Sequence, residues 1–178
     1  DAAALMRYLI SDREINMDQI SIESLARNVG ADIPCCLLNG PSFISGIGEI
    51  IQSVKLNDIY YCLLVNPQIP ISTSQLYEKI SIKGSEDVQT KNFLPNPAMA
   101  HIISGKNDFQ QIIIQDHPII GEIINNLEKA EGCVLARMTG SGPTCFGFFS
   151  KQEDMSKCKK KFEEMYPKFW IMETKLLN

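Results

Sequence analysis

The chain has 178 residues, 44% of them hydrophobic, which suffices for one fair-sized domain or two small ones with real cores. A formal net charge of −4 and a sequence pI of about 5.2 argue against a nucleic-acid surface, which needs basic residues to neutralise phosphates. No apolar run approaches the ~20 residues of a bilayer span, and no charged head precedes an apolar signal segment.

Taken from the N-terminus, Asp1 to Ile15 carries apolar residues at helical spacing (Ala4, Leu5, Tyr8, Leu9), and Met17 to Val29 repeats the pattern up to Gly30, a natural helix stop. Asp32 follows that glycine, and Pro34 falls in what would be the first turn of a new helix. On the residues alone Asp32 reads as an N-cap. Ile33 to Leu38 is too short to classify by period. Pro41 to Val54 alternates around Gly46 and Gly48, as two strands joined by a tight bend would, and a first lobe closes near Leu56.

Ile59 to Val65 is an almost unbroken apolar run, the pattern of a strand buried on both faces, and Pro67 and Pro70 break it. Ser72 to Lys79 has hydroxyl caps followed by a helix. Lys83 to Asn96 is polar and reads as a mobile surface connection. Helical segments follow around Ala98 to Ser104 and Pro118 to Ala130, with Asn107 to Gln115 either a helix or an irregular piece between them. Cys133 to Met138 and Cys145 to Phe149 read as strands, Gln152 to Met165 as an amphipathic helix and Phe169 to Thr174 as a last strand. This order predicts an α+β chain, its second lobe an antiparallel sheet with helices on one face.

The cysteines form no Cys-x-x-Cys pair, and His101 and His117 complete no metal spacing, so no metal site is expected. Cys35, Cys36, Cys62, Cys133 and Cys145 lie in apolar runs and are expected as buried free thiols of a reducing cytosol, which makes a cytoplasmic location the expectation. Lys157, Lys159, Lys160 and Lys161 are interleaved with acids and read as a solvated helix face. Between the two late strands, Thr139-Gly-Ser-Gly-Pro-Thr144 combines two glycines with small hydroxyls, which suits either a plain hairpin or a loop that admits a phosphate closely.

Four blocks in order, Gly30-Ala-Asp-Ile-Pro34, Ser45-Gly-Ile-Gly-Glu49, Val65-Asn-Pro-Gln-Ile-Pro-Ile-Ser-Thr-Ser-Gln-Leu-Tyr77 and Thr139-Gly-Ser-Gly-Pro-Thr-Cys145, make the chain resemble the GHMP family of small-molecule kinases. The finer resemblance is to its diphosphocytidyl-linked members. It implies the family's two-lobe fold, with residues 1–56 the later part of the ATP-binding lobe and 57–178 the C-terminal domain. It implies ATP and Mg2+ as cosubstrate and cofactor, and a cytidine diphosphate-linked methylerythritol as substrate. Asp32 would stand beside the accepting hydroxyl as general base or orienting charge. Thr73 and Tyr77, four apart on one helix face, would bind substrate, the ring stacking on cytosine. Gly140, Ser141 and Gly142 would sit at the mouth of an inter-lobe cleft near the phosphates. The family's lysine-bearing strand and glycine-serine phosphate loop are not in this sequence, whose opening Asp1-Ala-Ala-Ala resembles the start of the helix behind that loop. The 178 residues alone are therefore expected not to transfer a phosphoryl group. A homoserine or mevalonate type of kinase, or a non-catalytic fragment or binding module, is the alternative.

Overall fold

A computed structural model describes residues 2–12, 17–30, 32–38, 40–46, 48, 50–56, 58–80 and 98–176. The expected connection from Lys83 to Asn96 lies outside these residues. The chain divides into two compact units, Asp1–Asn57 with Leu177–Asn178, and Asp58–Leu176.

The first unit holds α1 (Ala2–Asp12), α2 (Gln19–Val29), α3 (Ile33–Leu37) and an antiparallel hairpin of β1 (Ser42–Ser45) and β2 (Ile50–Ser53). Asp18 starts α2 by accepting from the Ser21 amide at 3.0 Å, satisfying one of the orphan donors of a helix start. Gly30 ends it through its amide to the Ala26 carbonyl at 3.1 Å. The unclassified stretch after Asp32 folds as the single-turn α3, with Pro34 where a helix has no acceptor for its N–H. Both longer helices pack on α3. The apolar residues that mark α1 in the sequence do not form its buried face: Leu5 and Tyr8 are 58% and 60% exposed, whereas Ala3 is buried. The turn of helix that α1 meets is too short to cover a stripe.

The second unit contains β3 (Tyr61–Asn66), α4 (Thr73–Lys79), α5 (Ala98–Ser104), α6 (Asp108–Asp116), α7 (Pro118–Glu128), β4 (Cys133–Met138), β5 (Cys145–Phe149), α8 (Gln152–Met165) and β6 (Trp170–Lys175). The strands form one antiparallel sheet in the order β4-β5-β3-β6, with Val65 opposite Cys145 on one side and Ile171 on the other. Central β3 is nearly all apolar because both its faces are covered, Cys62 and Leu63 alike being buried. α7 packs on β4 and β5, and α8 on β6, β3 and β5. Between these helices and the sheet lie the fully buried Leu63, Ile120, Leu127, Phe149 and Phe162. The segment left open between helix and irregular structure is α6, started by Asn107, whose Oδ1 accepts from the Phe109 amide at 2.9 Å. The last strand begins at Trp170, not Phe169, whose ring stacks on Tyr166 at 4.6 Å and whose amide turns back to the Tyr166 carbonyl.

All six cysteines are free, but the expected burial holds only in part. Cys62, Cys145 and Cys158 are buried, Cys35 and Cys133 half-buried, and Cys36 is exposed. Adjacent residues on a helix point about 100° apart, so a one-turn surface helix cannot hide both Cys35 and Cys36. Burial pushes the Cys62 and Cys145 thiols up from 9.0 to about 12. The unfolded chain gives up these protons from about pH 9 while the folded chain retains them, so the stabilisation they confer is complete below that pH and lost as pH rises from 9 to 12. Urea midpoints measured from pH 7 to 10.5 are expected to fall above pH 9, and Cys62→Ala/Cys145→Ala to flatten that fall.

Candidate active site

The β4–β5 turn is built by two internal bonds, Thr139 amide to Thr144 carbonyl at 2.9 Å and Gly142 amide to Thr139 carbonyl at 3.0 Å. Gly140 and Gly142 have φ of +53° and +75°, in the left-handed region that side chains disfavour, and the Gly142–Pro143 peptide is cis. The two glycines differ in their surroundings. A Cβ on Gly140 would meet nothing within 4 Å, whereas one on Gly142 would stand 2.6 Å from Met138 Sδ. Gly140→Ala is expected to cost about 1–2 kcal/mol, the left-handed penalty alone. Gly142→Ala adds overpacking and is expected to cost about 1–3 kcal/mol more; urea unfolding of the two variants side by side measures the difference.

α4 reaches this turn from a remote part of the sequence. Ser72 caps α4 by accepting from the Gln75 amide, and Thr73 Oγ1 lies 3.1 Å from Ser141 Oγ, 68 residues away. Residues singled out on separate motifs are thus in direct contact. Tyr77, one turn on, is 58% exposed, so it does not close the core; that is done by neighbouring Leu76, 3% exposed. The Tyr77 ring presents itself to solvent with one side held at 85° against Phe109, centroids 5.1 Å apart. On the other side of the turn Asn66 Nδ2 donates to Thr144 Oγ1 at 2.8 Å.

Three residues of this cluster were not singled out by sequence reasoning. Asn107 Nδ2 donates to the carbonyls of Met138 and Gly140, each at 2.8 Å, Gln110 Oε1 accepts from the Met138 amide at 3.0 Å, and Phe109 braces Tyr77. An Asn before an acidic residue is a helix-start signature, which was the available signal; its grip on a turn over thirty positions away is not written in the local pattern. The Gly142 amide is committed to Thr139, so this N–H of the expected cradle is spent inside the turn.

Asp32 belongs to the first unit, and the rest of the predicted site to the second. The capping role read from its local sequence is not found. Its φ of −84° and ψ of −8° are helical rather than extended, and the side chain makes no capping bond. Its carbonyl accepts from the Cys36 amide at 3.2 Å and from Cys35 Sγ at 2.9 Å. The carboxylate is exposed. His117 joins α6 to α7, half-buried, its amide bonded to the Ile113 carbonyl. Among the described residues no three His, Cys, Asp or Glu side chains converge as metal ligands would.

A four-stranded antiparallel sheet with α7 and α8 packed on it thus ends in a glycine turn that meets a capped helix. Residues 99–168 match the family described as GHMP kinases C terminal. The chain is 32% identical over 179 residues to a 4-diphosphocytidyl-2-C-methyl-D-erythritol kinase of Wolbachia sp. subsp. Drosophila simulans (strain wRi), covering 99% of the chain and 62% of that relative. To the kinase of the same name from Bradyrhizobium sp. (strain BTAi1) it is 28% identical over 183 residues, 96% of the chain and 60% of the relative. The chain thus spans about three-fifths of the length of these relatives. Among solved structures, a crystal structure of 4-(cytidine 5'-diphospho)-2C-methyl-D-erythritol kinase superposes with a TM-score of 0.73 at 20% identity, over 97% of the chain and 62% of the other. Homoserine kinase from Cytophaga hutchinsonii gives a TM-score of 0.50 at 14% identity, over 81% and 50%.

Proposed function

We propose that the chain is part of an ATP-dependent kinase that phosphorylates the 2-hydroxyl of 4-diphosphocytidyl-2-C-methyl-D-erythritol, a step of isoprenoid precursor synthesis by the methylerythritol phosphate route. The observation that carries this reading is the meeting of Thr73 with Ser141 beside an exposed Tyr77. A hydroxyl pair and a ring one helical turn apart suit a ligand with a polar linker and a flat base. Names shared by relatives over nearly the whole chain support the same substrate. In this reading Tyr77 stacks on cytosine, Thr73 and the Gly140-Ser141-Gly142 turn hold the diphosphate, and Asp32 orients the accepting hydroxyl and takes its proton as the phosphoryl group arrives.

ATP is the phosphoryl donor in this proposal, with Mg2+ as its companion ion; among the described residues no three His, Cys, Asp or Glu side chains converge to hold that metal. A cytoplasmic location is part of the proposal, supported by six unpaired thiols. No helix among the described residues is long and apolar enough to cross a membrane. The test is an assay of ADP release by the full-length gene product with ATP and the cytidyl substrate, alongside thermal protection by cytidine 5′-diphosphate. Protection by cytidine but not uridine or adenosine diphosphates is expected; indifference to cytidine nucleotides together with turnover of homoserine or mevalonate would assign the chain to those kinases.

A further inference from the structure

We propose that the first turn of α6, Asn107 to Gln110, is a positioning element that fixes the glycine turn and the Tyr77 ring relative to each other, with Asn107 governing the diphosphate end of the ligand and Phe109 the base end. The inference rests on the functional reading above and adds residues to which that reading gives no part.

The geometry is a closed triangle. α4 meets the glycine turn through Thr73 and Ser141 at 3.1 Å, and the turn meets α6 through Asn107. α6 meets α4 twice, through the Phe109–Tyr77 ring pair at 5.1 Å and the Lys79–Asp116 ion pair at 2.5 Å. Each side is short, so no two corners can shift without straining the third.

Asn107 spends its side chain completely in this role. Its amide has two donors and an acceptor oxygen: Nδ2 reaches the Met138 and Gly140 carbonyls, and Oδ1 takes the Phe109 amide. β4 is an edge strand, and the Met138 amide and carbonyl, which no further strand can satisfy, end on Gln110 and Asn107. The path of Thr139-Gly140-Ser141 is therefore set from α6, in addition to the turn's own bonds. Two residues beyond Asn107, Phe109 restricts an exposed ring whose rotamers would otherwise be free, and an ordered ring loses less entropy when a base stacks on it.

The decisive measurement titrates the full-length gene product with cytidine 5′-diphosphate and, separately, with cytidine. Asn107→Ser keeps a capping oxygen for α6 while removing both donors to the turn. It is expected to raise the Kd of cytidine 5′-diphosphate about tenfold, as loss of two hydrogen bonds that shape its site would, and to leave that of cytidine within about twofold. Gln110→Ala, which spares the cap, is expected to act in the same selective direction and stands in where Asn107→Ser unfolds. Phe109→Leu is expected to weaken both ligands by the same factor, and Phe109→Tyr to restore wild-type values. General destabilisation would lower the melting temperature and weaken both ligands together in every variant, and that pattern overturns the proposal, as do wild-type affinities in Asn107→Ser and Gln110→Ala. A wild-type protein that binds neither ligand removes the cytidyl reading itself, and this assignment with it.

Discussion

Asp32→Asn in the full-length gene product is expected to lower kcat for phosphorylation of the cytidyl substrate by about 10²- to 10⁴-fold, the usual worth of a positioned general base. The KM for that substrate should move by less than about threefold, because the proposal assigns substrate affinity to Thr73, Tyr77 and the glycine turn. The exchange keeps the side chain's shape and removes only its charge and basicity. It is also structurally quiet: Asp32 is exposed and its side chain makes no capping bond to the start of α3. An unchanged melting temperature with lost turnover is therefore the expected pair of results. Turnover within about threefold of wild type would remove Asp32 from the reaction.

Phe149→Ala is expected to give the largest loss of stability, about 3–5 kcal/mol by urea unfolding, from lost burial and the cavity left behind. Phe149 is 0% exposed and lies in the layer between the sheet and the helices α7 and α8, with Leu127 and Phe162. The loss is large beside the roughly 5–15 kcal/mol by which most domains are stable. Tyr77→Ala is the control of similar chemistry: the ring is 58% exposed, and the same measurement should change by less than about 1 kcal/mol. Equal effects from the two would contradict the described core.

The elements legible in the sequence are those whose burial follows a simple period. β3 stands out as an unbroken apolar run because it is central and covered on both faces, and α8 by Met155, Cys158 and Phe162 facing inward from a charged helix. α6 is ambiguous because Ile112, Ile113 and Ile114 are consecutive, a run that fits a buried strand as well as a helix. The residues of the candidate site can be picked out by type and motif, but the contacts among them are not legible. The Thr73–Ser141 contact and the hold of Asn107 on Gly140 join segments far apart in the chain, and such pairings depend on the sheet order. Two local readings fail for backbone reasons. Asp32 occupies the place of a cap without the extended backbone that capping requires, and Cys36 lies on the outer side of a helix too short to bury it.

The sheet order carries one more consequence, for synthesis. β3 comes first among the strands of its unit, yet both its neighbours, β5 and β6, lie in the closing part of the chain. During translation its apolar side chains and unpaired backbone groups emerge long before β5 and β6 can pair with them, and pairing of such high contact order is slow once possible. The nascent chain therefore carries an unsatisfied, aggregation-prone segment on the ribosome until Trp170 to Lys175 has been made.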